Sequence, residues 1–268
     1  MTVATPPTGL SDEAYQAWAQ GEVDHWRRRM LAPPSALDRL SGAVQGRINR
    51  IIPEKVHSVV TDVIERMTRA ILVGADVATF TRPLRDAPLS ERDRRALNAI
   101  AGYRAAAAAE GGVTGAGGFW MSAADFPALI TIKLKLLFEL AAIYGHAGEV
   151  FAERLYILHL FELAFSGAGH RAQVLHSLEG WDTAAHPDDF AHFDWRSFQQ
   201  EYRDYIDLPK LAQMIPLIGA PVGAVVNWRL LSRLGETAVN GYRTRWLQAR
   251  PTLSAAVSGG LVTRRRET

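Results

Sequence analysis

Glycine occupies five of the eight positions from 111 to 118, in the sequence GGVTGAGG. Glycine loses more conformational entropy on folding than any other residue, so this density needs a steric reason. Either the backbone adopts positive φ angles here, or another group approaches it closely. The alanine run 105–109 has the highest intrinsic helix propensity, and Gly111 occupies the position of a C′ glycine. The pattern predicts a glycine-rich junction between two helices.

Capping signals place a helix on each side of this junction. Ser90 with Asp93 three residues later is typical of an N-cap for the upstream helix. Asp125 can cap the downstream helix, and Pro127 is tolerated in its first turn. We do not predict a nucleotide-binding loop, because Gly118 is not followed by Lys and Ser or Thr, and no strand precedes it. Two interpretations stay open: a tight helix crossing, or a loop that approaches a lipid or another ligand.

The rest of the chain is also helical in pattern, and no alternating strand pattern of useful length is present. We predict helices at 11–31, 37–51, 52–73, 90–110, 125–144, 149–165, 170–179, 198–206 and 211–250. Pro216 and Pro221 interrupt the last of them. The predicted fold class is all-α, with a single multi-helix domain over residues 11–250. Residues 1–10 are expected to be a flexible N-terminus, and 251–268 a disordered basic tail.

Two apolar helical segments are expected near the centre of this domain. The first, 126–145, contains Lys133, Lys135 and Glu139. A charge near the centre of a bilayer costs about 2.5–3.5 kcal/mol, so three of them disfavour a simple membrane span. A helix that is apolar around most of its circumference is usually buried. We therefore predict a buried central helix, with membrane contact as the alternative.

The second apolar segment, 211–228, contains 18 residues without a formal charge. Gly219 and Gly223 are four residues apart, a spacing that lets helices approach closely in membranes and in protein cores. Trp228 and Arg229 stand at its end, and aromatic and arginine residues beside an apolar run are typical of a membrane-interface anchor. A core helix followed by its exposed end is the alternative.

The net charge of +2 conceals a strong asymmetry along the chain. Residues 179–208 carry eight carboxylates against two arginines, whereas residues 228–268 carry eight arginines against two glutamates. A basic end attracts nucleic acid or an anionic membrane, and no nucleic-acid-binding motif accompanies it. Arg229, Arg233 and Arg243 share one helical stripe. Such a stripe is typical of a solvated or salt-bridged face, and it can also hold a phosphate-bearing headgroup.

Three segments in this order resemble motifs of the EcsC family. Residues 52–57, with their proline, resemble its N-terminal segment. Residues 111–118, followed by 125–129 and 139–145, resemble its central motif. Residues 215–227, with the helix that follows, resemble its second glycine motif. The resemblance covers residues 40–250 and implies a membrane-associated protein, in a family named for a protein encoded beside an ABC transporter. It carries over no catalytic residue. The family-like polar positions are Asp125, Glu139, Tyr144, Asn227 and Arg243.

Catalytic signatures are missing from the sequence. The absence of cysteine excludes disulfides, thiol catalysis and cysteine-metal sites. Neither a Gly-x-Ser-x-Gly elbow nor a His-Glu-x-x-His motif is present. His186 and His192 stand among Asp188 and Asp189, but their spacing matches no standard metal-ligand pattern. We predict no metal site and no cofactor, and a non-enzymatic protein is favoured over an enzyme.

These observations predict an accessory protein that contacts lipid or a membrane partner through glycine-rich and apolar helical segments and a basic C-terminal face. No signal peptide is visible, so we expect a cytoplasmic protein, peripheral on the inner face of the cell membrane. The expected partner is an anionic membrane surface or a membrane protein, not nucleic acid. Two alternatives are a soluble protein with an apolar cavity for lipid or hydrophobic peptide, and a metal-dependent hydrolase using 186–194. The candidate lipid- or ligand-contacting residues are Gly115, Gly117, Gly118, Asp125, Glu139, Tyr144, Gly219, Gly223, Asn227, Arg229, Arg233 and Arg243.

Overall fold

A computed structural model describes residues 3–33, 68–69, 71–72, 82–114, 118–166, 168–192 and 219–250. Within these ranges the chain forms six complete α-helices, short helical pieces at 68–69 and 71–72, two 3₁₀ turns and no strand. The helices are α1 (Asp12–Leu31), α2 (Leu89–Thr114), α3 (Gly118–Tyr144), α4 (Phe151–Phe165), α5 (Ala168–Glu179) and α6 (Gly219–Ala249). The 3₁₀ turns are Trp181–Thr183 and Phe190–His192. The all-α prediction is confirmed for the described part of the chain.

Helix α6 is the centre of the bundle, because it contacts each of the other five helices. Between Leu231 and Arg245 it is buried around almost its whole circumference. The sequence predicts this central position for the segment 126–145 instead. Burial of that segment is confirmed from Leu134 to Tyr144, where most residues are in the core. The central position, however, belongs to α6.

Two glycines allow α6 to lie close to its neighbours. A Cβ atom at Gly235 would lie 2.7 Å from Ile100 Cδ1 of α2, and one at Gly241 would lie 2.6 Å from Leu160 Cδ2 of α4. Carbon atoms in favourable contact are about 3.5–4.0 Å apart, so a larger residue at either position would push the helices apart or force a side chain to move. Close helix packing through glycine therefore occurs here, further along the helix than the predicted Gly219 and Gly223.

Three helix ends lie within one residue of the positions predicted from the sequence: the start of α1 and the ends of α3 and α4. Ser11 caps α1, since its Oγ accepts a hydrogen bond from the amide of Ala14 at 3.3 Å. Gly145 ends α3 with a φ of +96°, a left-handed conformation that glycine adopts without strain. Ser166 ends α4 by donating from both its amide and its hydroxyl to the carbonyl of Glu162. Each of these signals is local, which is why the sequence reveals it.

The glycine-rich junction differs from the prediction. Helix α2 continues through Gly111 to Thr114, so Gly111 is not its C′ residue. Helix α3 already begins at Gly118, so Asp125 lies inside the helix and does not cap it. Extending an existing helix is easier than starting one, so the alanine-rich helix continues through glycines that cost only about 1 kcal/mol each. Fewer residues therefore separate α2 from α3 than the sequence predicts, namely 115–117.

Helix directions bring three helix ends together. Helices α2 and α6 are antiparallel: Asp93 contacts Arg243 near one end, and Arg104 contacts Trp228 towards the other. Helices α2 and α3 are also antiparallel, since Asp93 contacts Tyr144 near the end of α3. The end of α2 and the beginnings of α3 and α6 therefore lie at the same end of the bundle. We call residues 107–114, 118–130 and 219–227 the apolar end. Among the residues that the structure describes, no helix combines the length and apolar character needed to cross a bilayer.

Candidate functional site

A buried carboxylate, Asp93, lies on the face of α2 that points into the core. Asp93 and its partner Arg243 of α6 are 0% and 1% exposed. Arg243 Nε donates to Asp93 Oδ2 at 3.0 Å, and its Nη2 lies 2.9 Å from the same oxygen. Burying two charges is favourable only when the geometry is good and further hydrogen bonds satisfy the remaining polar atoms.

Two tyrosines supply those further hydrogen bonds. The Tyr15 hydroxyl on α1 donates to Asp93 Oδ2 at 2.8 Å, and the Tyr144 hydroxyl on α3 donates to Oδ1. Burial raises the pKa of both hydroxyls, and the charge of Asp93 raises it further, so both remain protonated donors near neutral pH. We call Tyr15, Asp93, Tyr144 and Arg243 the Asp93 centre. It joins four helices, each of which contributes one residue.

A second charged group is built around Arg245, two residues after Arg243 on α6. The guanidinium of Arg245 donates to both carboxylate oxygens of Glu153, at 2.7 and 2.8 Å, and its Nε donates to Asp182 Oδ2 at 2.9 Å. His146 Nδ1 lies 3.2 Å from Glu153 Oε1. Burial raises the pKa of Glu153, but hydrogen bonds from Arg245 and His146 outweigh burial and lower that pKa to about 2. We call His146, Glu153, Asp182 and Arg245 the Arg245 centre.

A cavity of about 440 Å³ lies beside the Asp93 centre, between the start of α1, the segment before α2 and the end of α6. Tyr15 lines this cavity and also belongs to the centre. Trp246 forms part of the wall, with the Arg250 guanidinium 3.6 Å from the centroid of its ring. Much of the lining is polar or charged, from Asp12, Gln16, Arg85, Asp86, Ser90 and Arg250. This cavity does not have the apolar character that the lipid-carrier alternative requires.

The Asp93 centre is poorly suited to proton transfer, because both carboxylate oxygens of Asp93 already accept hydrogen bonds. Both oxygens of Asp93 accept hydrogen bonds from Tyr15, Tyr144 and Arg243, and neither charged group reaches solvent. A general base needs a lone pair within reach of its substrate. The arrangement therefore suits the locking of four helices in register rather than proton transfer.

Two of the twelve predicted contact residues, Tyr144 and Arg243, meet in this buried centre. The arginine stripe on α6 was predicted to be a solvated or a salt-bridged face. At Arg243 a solvated face is wrong, because the residue is buried among the other helices, and a salt-bridged face is confirmed by the ion pair with Asp93. Arg229 is exposed, and Arg233 is half-buried. Glu139 is half-buried on α3 and accepts a hydrogen bond from Tyr103 of α2, whose pKa is raised by burial and by this carboxylate.

The remaining predicted residues belong to the apolar end or lie outside the described residues. Gly118 and Asp125 are in α3, and Gly219, Gly223 and Asn227 are in α6, but the side chains of these stretches are outside the description. Gly115 and Gly117 lie outside the described residues altogether. The helix backbones thus place five of these residues at the apolar end of the bundle.

The surface next to the apolar end carries an exposed tryptophan. Trp228 is 42% exposed, a high value for so large an apolar side chain. The guanidinium of Arg104 lies 5.0 Å from the centroid of its ring, within the range of a cation–π contact. The neighbouring Arg229 is exposed as well. An aromatic ring and two cations therefore lie together beside the apolar segments.

The histidine- and aspartate-rich segment does not assemble a metal site in the part that the structure describes. His192 Nδ1 lies 2.8 Å from Asp189 Oδ1 on the surface. His186 instead stacks on Trp181, with ring centroids 3.9 Å apart, and contacts its carbonyl oxygen. No group of three His, Cys, Asp or Glu side chains among the described residues could hold a metal ion. The metal-dependent hydrolase alternative finds no support there.

The chain's relatives agree with the motifs in the sequence. Residues 18–247 match the sequence profile of the EcsC protein family. The chain belongs to this family. Protein EcsC of Bacillus subtilis (strain 168) is 42% identical over 227 residues, which are 85% of this chain and 94% of that protein. Uncharacterized protein YdbA of the same strain is 28% identical over 237 residues, 84% of this chain and 87% of its own length. No solved structure matches the chain.

The family match begins inside α1 and ends inside α6, so it includes Asp93, Tyr144 and Arg243 but not Tyr15. Sequence reasoning missed Asp93 as a buried site residue, although a signal for it exists. Leu89, Ala96 and Ile100 are buried at helical spacing, and Asp93 belongs to the same stripe of α2. A carboxylate on an apolar stripe indicates a buried partner. The sequence does not indicate which of the 26 arginines that partner is.

Proposed function

We propose that this EcsC-family protein is a non-enzymatic accessory protein that docks onto an anionic membrane surface through the apolar end of its bundle. The observation that carries this proposal is that the end of α2 and the beginnings of α3 and α6, which are rich in glycine and apolar residues, lie at one end of the bundle beside the exposed Trp228. In this proposal the protein is cytoplasmic and lies on the inner face of the cell membrane, where anionic lipids or a membrane protein receive it.

Residues beside the apolar end suit such a surface. Tryptophan is enriched where bilayer and water meet, because its ring is apolar and its N–H is polar. Arg104 and Arg229 lie next to Trp228, and each arginine near an anionic surface contributes roughly 1 kcal/mol to membrane attraction. Together they provide an interfacial anchor and an electrostatic attraction at the same place.

The charged centres of the core support the non-enzymatic part of the proposal. The carboxylates of Asp93 and Glu153 are both bound by arginine, and the tyrosines and histidine around them are committed to the same contacts. Neither centre presents an unpaired base or nucleophile towards the cavity. Their role is to hold the helices that present the apolar end.

Vesicle co-sedimentation of the full-length protein tests the proposal. We expect binding to mixed phosphatidylglycerol–phosphatidylcholine vesicles, weaker binding at high salt, and little binding to phosphatidylcholine alone. Trp228→Ala and Arg229→Glu should each weaken binding. The matched controls are Val150→Ala, an apolar residue that is 51% exposed at the opposite end, and the exposed Arg94→Glu near the start of α2. Equal losses in test and control variants, or no binding at any salt, would rule the proposal out.

A further inference from the structure

We propose that the cavity beside the Asp93 centre binds a free α-amino acid with an apolar side chain. The cavity lies where α1 and α2 begin and α6 ends, at the end of the bundle opposite the apolar end. Its volume of about 440 Å³ is within the range of small-molecule sites, about 300–1,000 Å³. Binding here goes beyond membrane docking, because the cavity and the apolar end share no residue.

The walls of the cavity are held by two adjacent core residues of α2, Arg92 and Asp93. Asp93 accepts the hydrogen bond of Tyr15, which fixes the wall formed by α1. Arg92 donates to the carbonyl oxygen of Arg85 at 2.8 Å, which fixes the segment before α2. The guanidinium of Arg92 also lies 4.5 Å from the ring centroid of Trp246, in the wall formed by α6. The cavity is therefore preformed, and a preformed site loses little conformational entropy when a small ligand binds.

Charged side chains of both signs line the cavity. The carboxylates are those of Asp12 and Asp86, and the guanidinium groups are those of Arg85 and Arg250. All four residues are exposed, and within the described part of the chain none of them forms an ion pair. The charges of the lining cancel, so the cavity suits a ligand that carries one positive and one negative group better than a simple anion or cation.

The positions of Asp86 and Arg250 suit the two charges of an α-amino acid. Asp86 follows Arg85, whose carbonyl oxygen is bound by Arg92, and the guanidinium of Arg250 lies 3.6 Å from the centroid of the Trp246 ring that Arg92 also contacts. The two charges thus lie near one buried guanidinium. An α-amino acid carries its ammonium and carboxylate groups on one carbon atom. In this proposal Asp86 binds the ammonium group, and Arg250 binds the carboxylate through paired N–H groups.

The remainder of the lining is largely apolar. It consists of the ring of Trp246 and the side chains of Ala87, Pro88 and Leu89. Burying an apolar side chain against such a surface is favourable. A peptide carries its two terminal charges far apart, so a single amino acid fits the neighbouring charges better. L-Leucine and L-phenylalanine are therefore the probes of choice.

Thermal unfolding of the full-length protein with each probe at millimolar concentration tests the site. A ligand that binds only the folded state raises the unfolding temperature. N-acetyl-L-leucine lacks the ammonium group and L-leucinamide lacks the carboxylate, so each should bind at least about tenfold more weakly, the loss of a charge-assisted hydrogen bond. Glycine has both charges but no side chain. It should also bind more weakly, and it corrects for general stabilisation by amino acids as co-solvents.

Two variants assign the two charges to their residues. Asp86→Asn should weaken L-leucine binding by about tenfold and leave N-acetyl-L-leucine binding unchanged, because that analogue has no ammonium group to lose. Arg250→Gln should weaken L-leucine binding and leave L-leucinamide binding unchanged. Both residues are exposed, so both variants should unfold like the wild type in buffer without amino acid. The matched controls are Asp188→Asn and Arg28→Gln, exposed residues outside the cavity, and both should bind L-leucine as the wild type does.

Three results would each overturn the proposal. They are an unfolding temperature that neither probe raises beyond the effect of glycine, equal affinity for L-leucine and both of its analogues, and wild-type affinity in both cavity variants. Trp228→Ala should keep its response to L-leucine, and Asp86→Asn should keep its binding to anionic vesicles. Failure of membrane docking and failure of this site are therefore separately visible.

Discussion

The two halves of α6 carry the same residue types in opposite environments. In the C-terminal half, Arg243 and Arg245 are buried and bind the carboxylates of Asp93 and Glu153. In the half towards the apolar end, Arg229 is exposed, and Arg233 is half-buried and attracted by the charge of Glu236 on the same helix. On α6, an arginine is therefore buried and structural where another helix supplies its counter-charge.

Two tryptophans of α6 also differ in their exposure to solvent. Trp246 packs partly buried against the core, and the Arg92 guanidinium lies 4.5 Å from its ring centroid. Arg92 is itself held by the carbonyl oxygens of Arg85, Ala87 and Ile143, so this contact belongs to a fixed scaffold. Trp228 is 42% exposed, and within the described part of the chain its ring has a cation–π contact with Arg104. Of these two tryptophans, Trp228 is therefore the more exposed.

The largest expected effect comes from breaking the Asp93 centre. Asp93→Asn leaves the buried Arg243 without a counter-charge, which should destabilise the protein by about 3–5 kcal/mol. Urea unfolding followed by circular dichroism measures this loss. The exposed Asp188→Asn is the matched control and should stay within about 0.5 kcal/mol of the wild type. If both variants were equally stable, the contrast between the two halves of α6 would have no energetic basis.

The Arg245 centre should reveal itself through acid unfolding. The pKa of Glu153 falls from an ordinary value of 4.5 to about 2 in the folded protein. A carboxyl whose pKa is lowered on folding contributes stability above its unfolded pKa, and that stability is lost as the pH falls from about 4.5 towards 2. Glu153→Gln should cost about 1.5–3 kcal/mol at neutral pH, the value of a hydrogen bond to a charged group.

The same variant should also flatten the pH dependence of stability below pH 4.5, the ordinary pKa of Glu153. Urea unfolding at a series of pH values measures this slope. Glu162 also has a lowered pKa, so it leaves a residual slope in the variant. The exposed Glu13→Gln should keep the wild-type slope. An unchanged slope in Glu153→Gln would show that the Arg245 centre does not control acid stability.

The smallest effects concern the glycines that let α6 lie in the centre. Gly235→Ala should destabilise by roughly 1–3 kcal/mol through overpacking against Ile100, reduced by about 1 kcal/mol of improved helix propensity. Gly241→Ala should cost less, because a Cβ there would meet one atom of Leu160 at 2.6 Å, whereas a Cβ at Gly235 would meet two atoms of Ile100, at 2.7 and 2.8 Å. Gly102→Ala is the control, with nothing within 4 Å, and should stabilise by about 1 kcal/mol. Thermal unfolding ranks the three, and a different order would contradict the close packing of α6.

Much of the fold follows from local signals in the sequence. The predicted helix start at residue 11 and helix end at residue 144 depend on neighbouring residues, and the structure has Ser11 as the N-cap of α1 and Gly145 directly after α3. Helix ends within the glycine-rich junction were not predictable in this way, because the extension of α2 through Gly111 depends on helix cooperativity and not on one residue. The Asp93 centre was harder to predict from the sequence than the helix ends. Tyr144 and Arg243 were predicted as separate contact residues, and their common partner Asp93 was not.

By itself, the sequence determined the all-α class, the membership of the EcsC family and the two apolar segments, because periodicity, composition and motif order are properties of short stretches. Only the tertiary structure decided that α3 and α6, which carry the described parts of these segments, begin at one end of the bundle, and which of the described arginines bind buried carboxylates. Arg243 and Asp93 are 150 residues apart, and their pairing depends on the register of two antiparallel helices. That register is set by packing across the whole core, so no local pattern contains it.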